Sequence, residues 1–223
     1  MLKRIAAVAV VSLVPLTVAS APADAAGSCG VSVPSKVSVY SPYRTVTGTF
    51  SAGCRQNADW AAWDVIHPTQ GMQDMFFYDR AEGRTSESLD WYDWNPTGTY
   101  TVRGSGAYDR WDGVMTQNSP KMTVKLGSRM SASSSRAGRY VTVKGTATRY
   151  SPYAGTYRAW SGAKVSLRQK SCSSCSWKWV KSGTTNRYGR VSIKTYASTS
   201  RYWQIATTDS STTWGKASST LRR

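Results

Sequence analysis

Apolar and polar side chains alternate along most of this chain in short runs, and clusters of Gly, Ser, Pro and Asn separate the runs. Successive side chains of a strand point to opposite faces, so a period of two predicts β-structure. In the first half the pattern predicts strands over 36–40, 45–51, 60–66, 74–79, 85–91, 99–104 and 121–126, rich in the Val, Thr, Tyr and Trp that a pleated surface accepts. Strands this short and this closely spaced suit one immunoglobulin-like sandwich of about 100 residues. The clearest stretch lies later, from Ala163 to Lys194, where three runs are joined by two short connections. Val165, Leu167 and Gln169 share one face there, and Lys164, Ser166, Arg168 and Lys170 the other. Trp177 and Trp179 oppose Lys178, and Val191 and Ile193 oppose Arg190, Ser192 and Lys194. The expectation is three neighbouring strands with an apolar face turned inward and a cationic face turned out.

The second half repeats the plan of the first. Val46-Thr47-Gly48-Thr49 matches Val143-Lys144-Gly145-Thr146, and Tyr100-Thr101-Val102 aligns with Tyr202-Trp203-Gln204, in the same order and at nearly the same offset. The expected organisation is therefore all-β: a leader over 1–25, then two tandem immunoglobulin-like sandwiches over 26–126 and 127–223, each able to fold alone. The Ser-rich stretch after Gly127-Ser128 supplies a first edge strand and its turn, and Tyr100 and Tyr202 are each placed for a tyrosine corner. The pattern Gly162-Ala163-Lys164-Val165, Cys172-Ser-Ser-Cys175 with Trp177, Tyr188-Gly189-Arg190-Val191 and Ser200-Arg201-Tyr202-Trp203 resembles the bacterial immunoglobulin-like modules of secreted actinomycete proteins. The resemblance covers Arg139 to Arg223 and extends only loosely to the first half. It implies a β-sandwich in an extracellular setting, serving as a spacer, adhesion or binding module, with no catalytic residues to carry over.

Charge separates the halves. From Ala26 to Lys125 there are nine Lys or Arg against ten Asp or Glu; from Leu126 to Arg223 there are eighteen against one, Asp209. Such asymmetry assigns the basic half an anionic partner, unless the charge serves only solubility. The first 25 residues join a cationic start (Lys3, Arg4) to an apolar run and an Ala23-Asp24-Ala25 end, the form of a secretory signal peptide, with the mature chain beginning at Ala26. No other run is apolar enough to span a bilayer. Export favours oxidised cysteines, and of the three possible connectivities Cys29–Cys54 with Cys172–Cys175 keeps each pair within one half. The loop-entropy model gives about 3.5 kcal/mol for the first bridge and about 2 kcal/mol for the second.

Candidate chemistry is sparse. Cys172-Ser-Ser-Cys175 has redox-motif spacing but links strands rather than opening a helix, so a structural disulfide is expected; a zinc site lacks ligands. His67, the only histidine, precedes Pro68, and no nucleophile elbow surrounds any serine. Asp74, Asp79, Glu82, Asp90, Asp93, Asp109 and Asp112 are candidates for a carboxylate hydrolase or a calcium loop, against a reading as solvated loop acids. Trp60, Trp63, Trp177 and Trp179 are expected in cores, and Trp91, Trp94, Trp111, Tyr153, Tyr157 and Trp160 in loops able to stack on sugars or partner side chains. The function expected is non-catalytic binding without a cofactor or metal. Lys164, Arg168, Lys170, Lys178, Arg190 and Lys194 engage a teichoic acid, an acidic polysaccharide or extracellular nucleic acid, while Arg222 and Arg223 form an unrelated tail. Docking of another exported protein through the aromatic loops is the alternative, and a small hydrolase in the first half a further one.

Overall fold

A computed structural model of the protein describes residues 27–223; the signal-peptide expectation lies outside the described residues. The strands of four or more residues are β1 (Lys36–Val39), β2 (Tyr43–Phe50), β3 (Ala58–His67), β4 (Gly71–Asp79), β5 (Ser86–Tyr92), β6 (Gly98–Asp109), β7 (Lys121–Leu126), β8 (Ser128–Ala137), β9 (Tyr140–Ser151), β10 (Thr156–Ala159), β11 (Lys164–Lys170), β12 (Lys178–Thr184), β13 (Arg190–Tyr196) and β14 (Tyr202–Thr207). All seven strands expected in the first half are present. One short helix, α1 (Ala52–Asn57), was not foreseen: Ser51 caps it by accepting the Cys54 N–H at 3.3 Å, and the turn carries Cys54 to Cys29.

The chain forms two tandem immunoglobulin-like sandwiches. In the first, a sheet of order β1-β7-β6-β3-β4 packs on a smaller one made of Val31–Ser32, β2 and β5. Trp63, Trp91, Tyr100, Phe50 and Phe76 fill the space between them. In the second, β8 and β9 form one sheet with β13 and β10, which share the far edge of β9, and β12-β11-β14 form the other, extended by Leu221–Arg222. The repeated Val-x-Gly-Thr motif has a packing reason in both copies. A Cβ on Gly48 would come within 2.8 Å of Phe76 and one on Gly145 within 2.4 Å of Met130, so each glycine admits a large side chain against the backbone. Tyr100 makes the expected corner, its hydroxyl donating to Pro96 O at 2.5 Å. Tyr202 does not: Trp203 takes the buried position and turns Tyr202 out, so the true offset between the copies there is one residue larger.

Both disulfides form as expected, Cys29–Cys54 buried in the first core and Cys172–Cys175 in an exposed loop between β11 and β12.

The three runs of the central stretch are not sheet neighbours, contrary to expectation. β11 pairs with β12, but β13 pairs with β9 in the opposite sheet. A bulge at Leu167/Arg168 then adds a residue to β12, and one extra residue inverts the alternation beyond it. Arg168 therefore sits opposite Trp179 instead of Val180, and Lys178 falls beside Gln169, on the other side of the sheet, instead of beside Lys170.

No linker separates the sandwiches: β7 ends at Leu126 and β8 begins at Ser128. The loop 210–214 hydrogen-bonds back on β7 through Leu126 N to Thr212 O (2.8 Å), Trp214 N to Leu126 O (2.9 Å) and Lys125 Nζ to Ser210 O (2.6 Å). The Trp214 indole donates to Val37 O at 2.8 Å and lies under the ammonium groups of Lys36 and Lys125, 5.0 and 4.6 Å from the ring centre. Tyr150, from the second half, is 1% exposed and belongs to the first core, with its hydroxyl donating to Asp93 at 2.7 Å. The expectation that each half closes its own core is corrected at this residue. Burial and the Asp93 carboxylate push the Tyr150 hydroxyl well above the usual phenol range.

Candidate functional site

Five of the six predicted cations divide between the outer faces of the second sandwich. Lys164, Arg168 and Lys170 point outward from β11. Across the sheet, register sets Lys170 beside Tyr202 and Tyr202 beside Arg222, forming a row that crosses three strands. Lys170 Nζ lies 5.0 Å from the Trp177 ring centre and 5.7 Å from that of Tyr202, and Arg222 Cζ lies 5.5 Å from the same Tyr202 ring centre. Two residues along the strands and on the same side, Trp179, Arg168 and Gln204 form a second row. Trp179 is 65% exposed, contrary to the inward placement expected of it, and Trp177 is only half-buried. The disulfide loop assists: Ser173 O accepts from the Lys170 ammonium, and the same loop leads into Trp177. Arg168 Nε is buried without a partner among the described residues.

Arg190 and Lys194 lie on the opposite face. Cross-strand pairing puts Thr142 beside Lys194, Lys144 beside Ser192 and Thr146 beside Arg190, all turned away from the core formed by Val141, Val143 and Ile193. An open groove of about 590 Å³ runs here, lined by Ser131, Ser133, Lys144, Thr146, Arg190 and Ser192. Lys194 Nζ lies 4.7 Å from the Tyr140 ring centre, and Tyr140 meets Tyr196 edge to face at 5.8 Å. Lys178 belongs to neither face and is exposed at the end of edge strand β12. Arg222 and Arg223 are not a loose tail, because Arg201 and Arg223 exchange backbone hydrogen bonds of 2.6 and 3.0 Å that hold the segment against β14.

Sequence reasoning missed Tyr202, Arg222, Lys144 and Tyr140. Alternation alone would have found Tyr202 from Trp203 and Ile205, and Lys144 from Val141 and Val143.

The other candidates are occupied by structure. His67 is buried, with Nδ1 accepting from the N–H groups of Thr69 and Gln70 at 3.3 Å, so Nε2 carries the proton and donates to Thr97 O at 3.2 Å. The carboxylates hold turns and side chains: Asp79 caps Ala81 N, Asp109 accepts from Trp111 N and Gly113 N, Glu82 pairs with Arg84, and Asp90 and Asp93 accept from Tyr43 and Tyr150. Glu87 accepts from Phe77 N, and burial still pushes its carboxyl above the usual range. Among the described residues both ion pairs, Glu82–Arg84 and Asp64–Arg103, lie in the first sandwich, so neither cationic face is neutralised by carboxylates of the chain. Of the aromatics expected in loops, Trp91 and Trp160 are core residues and Tyr157 packs against the first core, whereas Trp94, Trp111 and Tyr153 are exposed.

No family model and no curated protein matches the chain. Solved structures do. The D00-D0 domain of intimin matches over 87% of this chain and 98% of its own, at 14% identity and a TM-score of 0.30. A native-conformation alpha-2-macroglobulin of E. coli matches over 90% of this chain and 14% of its own, at 9% identity and 0.42. The BSP domain of a biofilm associated protein matches over 86% and 29%, at 13% and 0.28. At such scores the likenesses carry no argument about what this chain binds.

Proposed function

We propose that this protein is an exported, non-catalytic binding module whose second sandwich holds a linear anionic polymer of the cell envelope or its surroundings, such as a teichoic acid, an acidic polysaccharide or extracellular nucleic acid. The observation that carries the reading is the outward-facing row Trp177, Lys170, Tyr202 and Arg222, half-buried except at Arg222, with Arg168 and the exposed Trp179 beside it. Cations on neighbouring strands repel, and among the described residues no carboxylate pairs with them, so an incoming chain of anions relieves a cost built into the sheet. The rings add flat apolar area on which sugars or bases can lie while the cations hold the charged groups. Export rests on the leader-like first 25 residues and on the two disulfides. Among the described residues no helix is long and apolar enough to cross a membrane.

A second reading, docking of another exported protein, has its own support in the first sandwich. Trp60 and Phe77 are partly exposed side by side, with ring centres 6.3 Å apart, and Tyr108 lies 4.9 Å from Trp60.

Salt dependence separates the two. Binding to a single-stranded oligonucleotide that engages four cations loses about 50-fold in affinity between about 50 and 200 mM salt, from a slope near −0.7 per charge. An affinity unchanged over that range would exclude the polyanion reading and favour the apolar one.

A further inference from the structure

The division of the cations between two sheets has a consequence for the ligand. The row on β11, β14 and Leu221–Arg222 and the groove over β9 and β13 belong to opposite sheets of one sandwich, so their outward side chains point in opposite directions. Packed sheets are about 10 Å apart, and outward Lys and Arg side chains widen the gap between the charges further. That exceeds the Debye length of about 8 Å at physiological salt, so the two faces attract anions independently. The same separation prevents one short chain from lying on both.

We infer that one molecule of this protein holds two separate polyanion chains at once, one on each outer face of the second sandwich, and so cross-links an anionic polymer. This rests on the polyanion reading given above. The faces are built alike in the part that matters. Each combines at least three cations with an aromatic ring under one of them: Arg168, Lys170 and Arg222 with Tyr202 on one side, Lys144, Arg190 and Lys194 with Tyr140 on the other. They differ in the groups between the cations. The first face supplies the indoles of Trp177 and Trp179, the second the hydroxyls of Ser131, Ser133 and Thr146, which can donate to anionic oxygens. The first sandwich covers the outward side of β9 only at its end, at Tyr150 and the neighbouring Tyr157, and leaves Lys144 and Arg190 exposed; its other contacts with the second sandwich come from the 210–214 loop. A crowd of cations on one face alone would suit adhesion; cations on both faces suit bridging.

The test is a two-step capture with the full mature chain. Heparin oligosaccharides too short to wrap the sandwich are immobilised, the protein is bound at low salt, and after washing a fluorescent heparin oligosaccharide is added. A parallel arm uses short single-stranded oligonucleotides in both steps, which tells a sulfated sugar from a phosphodiester. Capture of the second chain in either arm supports the inference. Two variants complete it: Arg168→Gln/Lys170→Gln/Arg222→Gln and Lys144→Gln/Arg190→Gln/Lys194→Gln. Each is expected to stay on the surface through its remaining face and to lose at least 90% of the second capture. Protein that binds the surface but captures no second chain overturns bridging while leaving the polyanion reading intact. A one-face variant that still bridges also overturns it, since the second chain would then be held by self-association. Protein that binds neither immobilised polymer overturns the polyanion reading itself.

Discussion

Replacing Arg168, Lys170, Arg222, Lys144, Arg190 and Lys194 together by Gln is expected to weaken polyanion binding about 100-fold at about 0.1 M salt. The figure follows from three cations lost on each face at a slope of about 0.7 per charge, two orders of magnitude relative to a 1 M reference. A matched variant removes the same formal charge elsewhere: Lys121, Arg149, Arg158, Lys178, Lys181 and Lys216, exposed residues that lie off both faces. It is expected to lose less than about 5-fold, because distant charge acts only through the screened field of the whole molecule. Equal losses in the two variants, measured by fluorescence anisotropy with an oligonucleotide or a labelled heparin fragment, would mean that net charge alone drives binding. Lys178 makes the comparison pointed. Read from the sequence it belongs with Arg168; the bulge in β12 puts it on the other side.

The second large effect concerns the contact between the sandwiches. Tyr150→Ala is expected to cost about 3–5 kcal/mol, the range for removing a fully buried aromatic, and to divide a single unfolding transition into two. The reason is that Tyr150 is held in the chain of one sandwich and buried in the core of the other. Tyr150→Phe keeps the ring and loses only the 2.7 Å bond to Asp93, a cost of about 1–2 kcal/mol at neutral pH. The two also differ in alkali. The raised Tyr150 hydroxyl keeps its proton in the folded state after the unfolded chain has lost it, so stability falls as pH rises above about 10. Tyr150→Phe removes that part of the loss; Tyr100, also raised by burial, retains its own. Calorimetry of the three proteins checks this. Two transitions already in the unaltered chain, or a cost below about 1 kcal/mol for Tyr150→Ala, would show that the sandwiches are energetically separate despite their contacts.

The strands, the tandem plan and both disulfide pairs were legible because each depends on local information: alternation, turn residues and cysteine spacing. The sheet partners were not. Runs 164–170 and 190–194 have the same alternation whether they pair with each other or lie in opposite sheets, and only long-range packing decides. The bulge at Leu167/Arg168 left no mark either, since Trp-Lys-Trp-Val reads equally well with the first tryptophan in or out. Tyr150 looked like one more outward residue at the end of β9, and the neighbouring sandwich made it core. The candidate site was thus half visible: its cations could be named, but the rings between them and their division over two faces came from tertiary structure.

The most direct measurement follows the indole N–H resonances of the intact mature protein during titration with a short polyanion at low salt. Trp177 and Trp179 flank the cations of the β11 face, while Trp94 and Trp111 are 72% and 86% exposed on the first sandwich and serve as internal controls. Assignment needs one Trp→Phe substitution at each of the four positions. The expected result is that the Trp177 and Trp179 signals move and saturate together, that Trp94 and Trp111 stay in place, and that added salt reverses the shifts. Movement of Trp94 or Trp111 with Trp177 and Trp179 unchanged would contradict a polyanion site on the second sandwich.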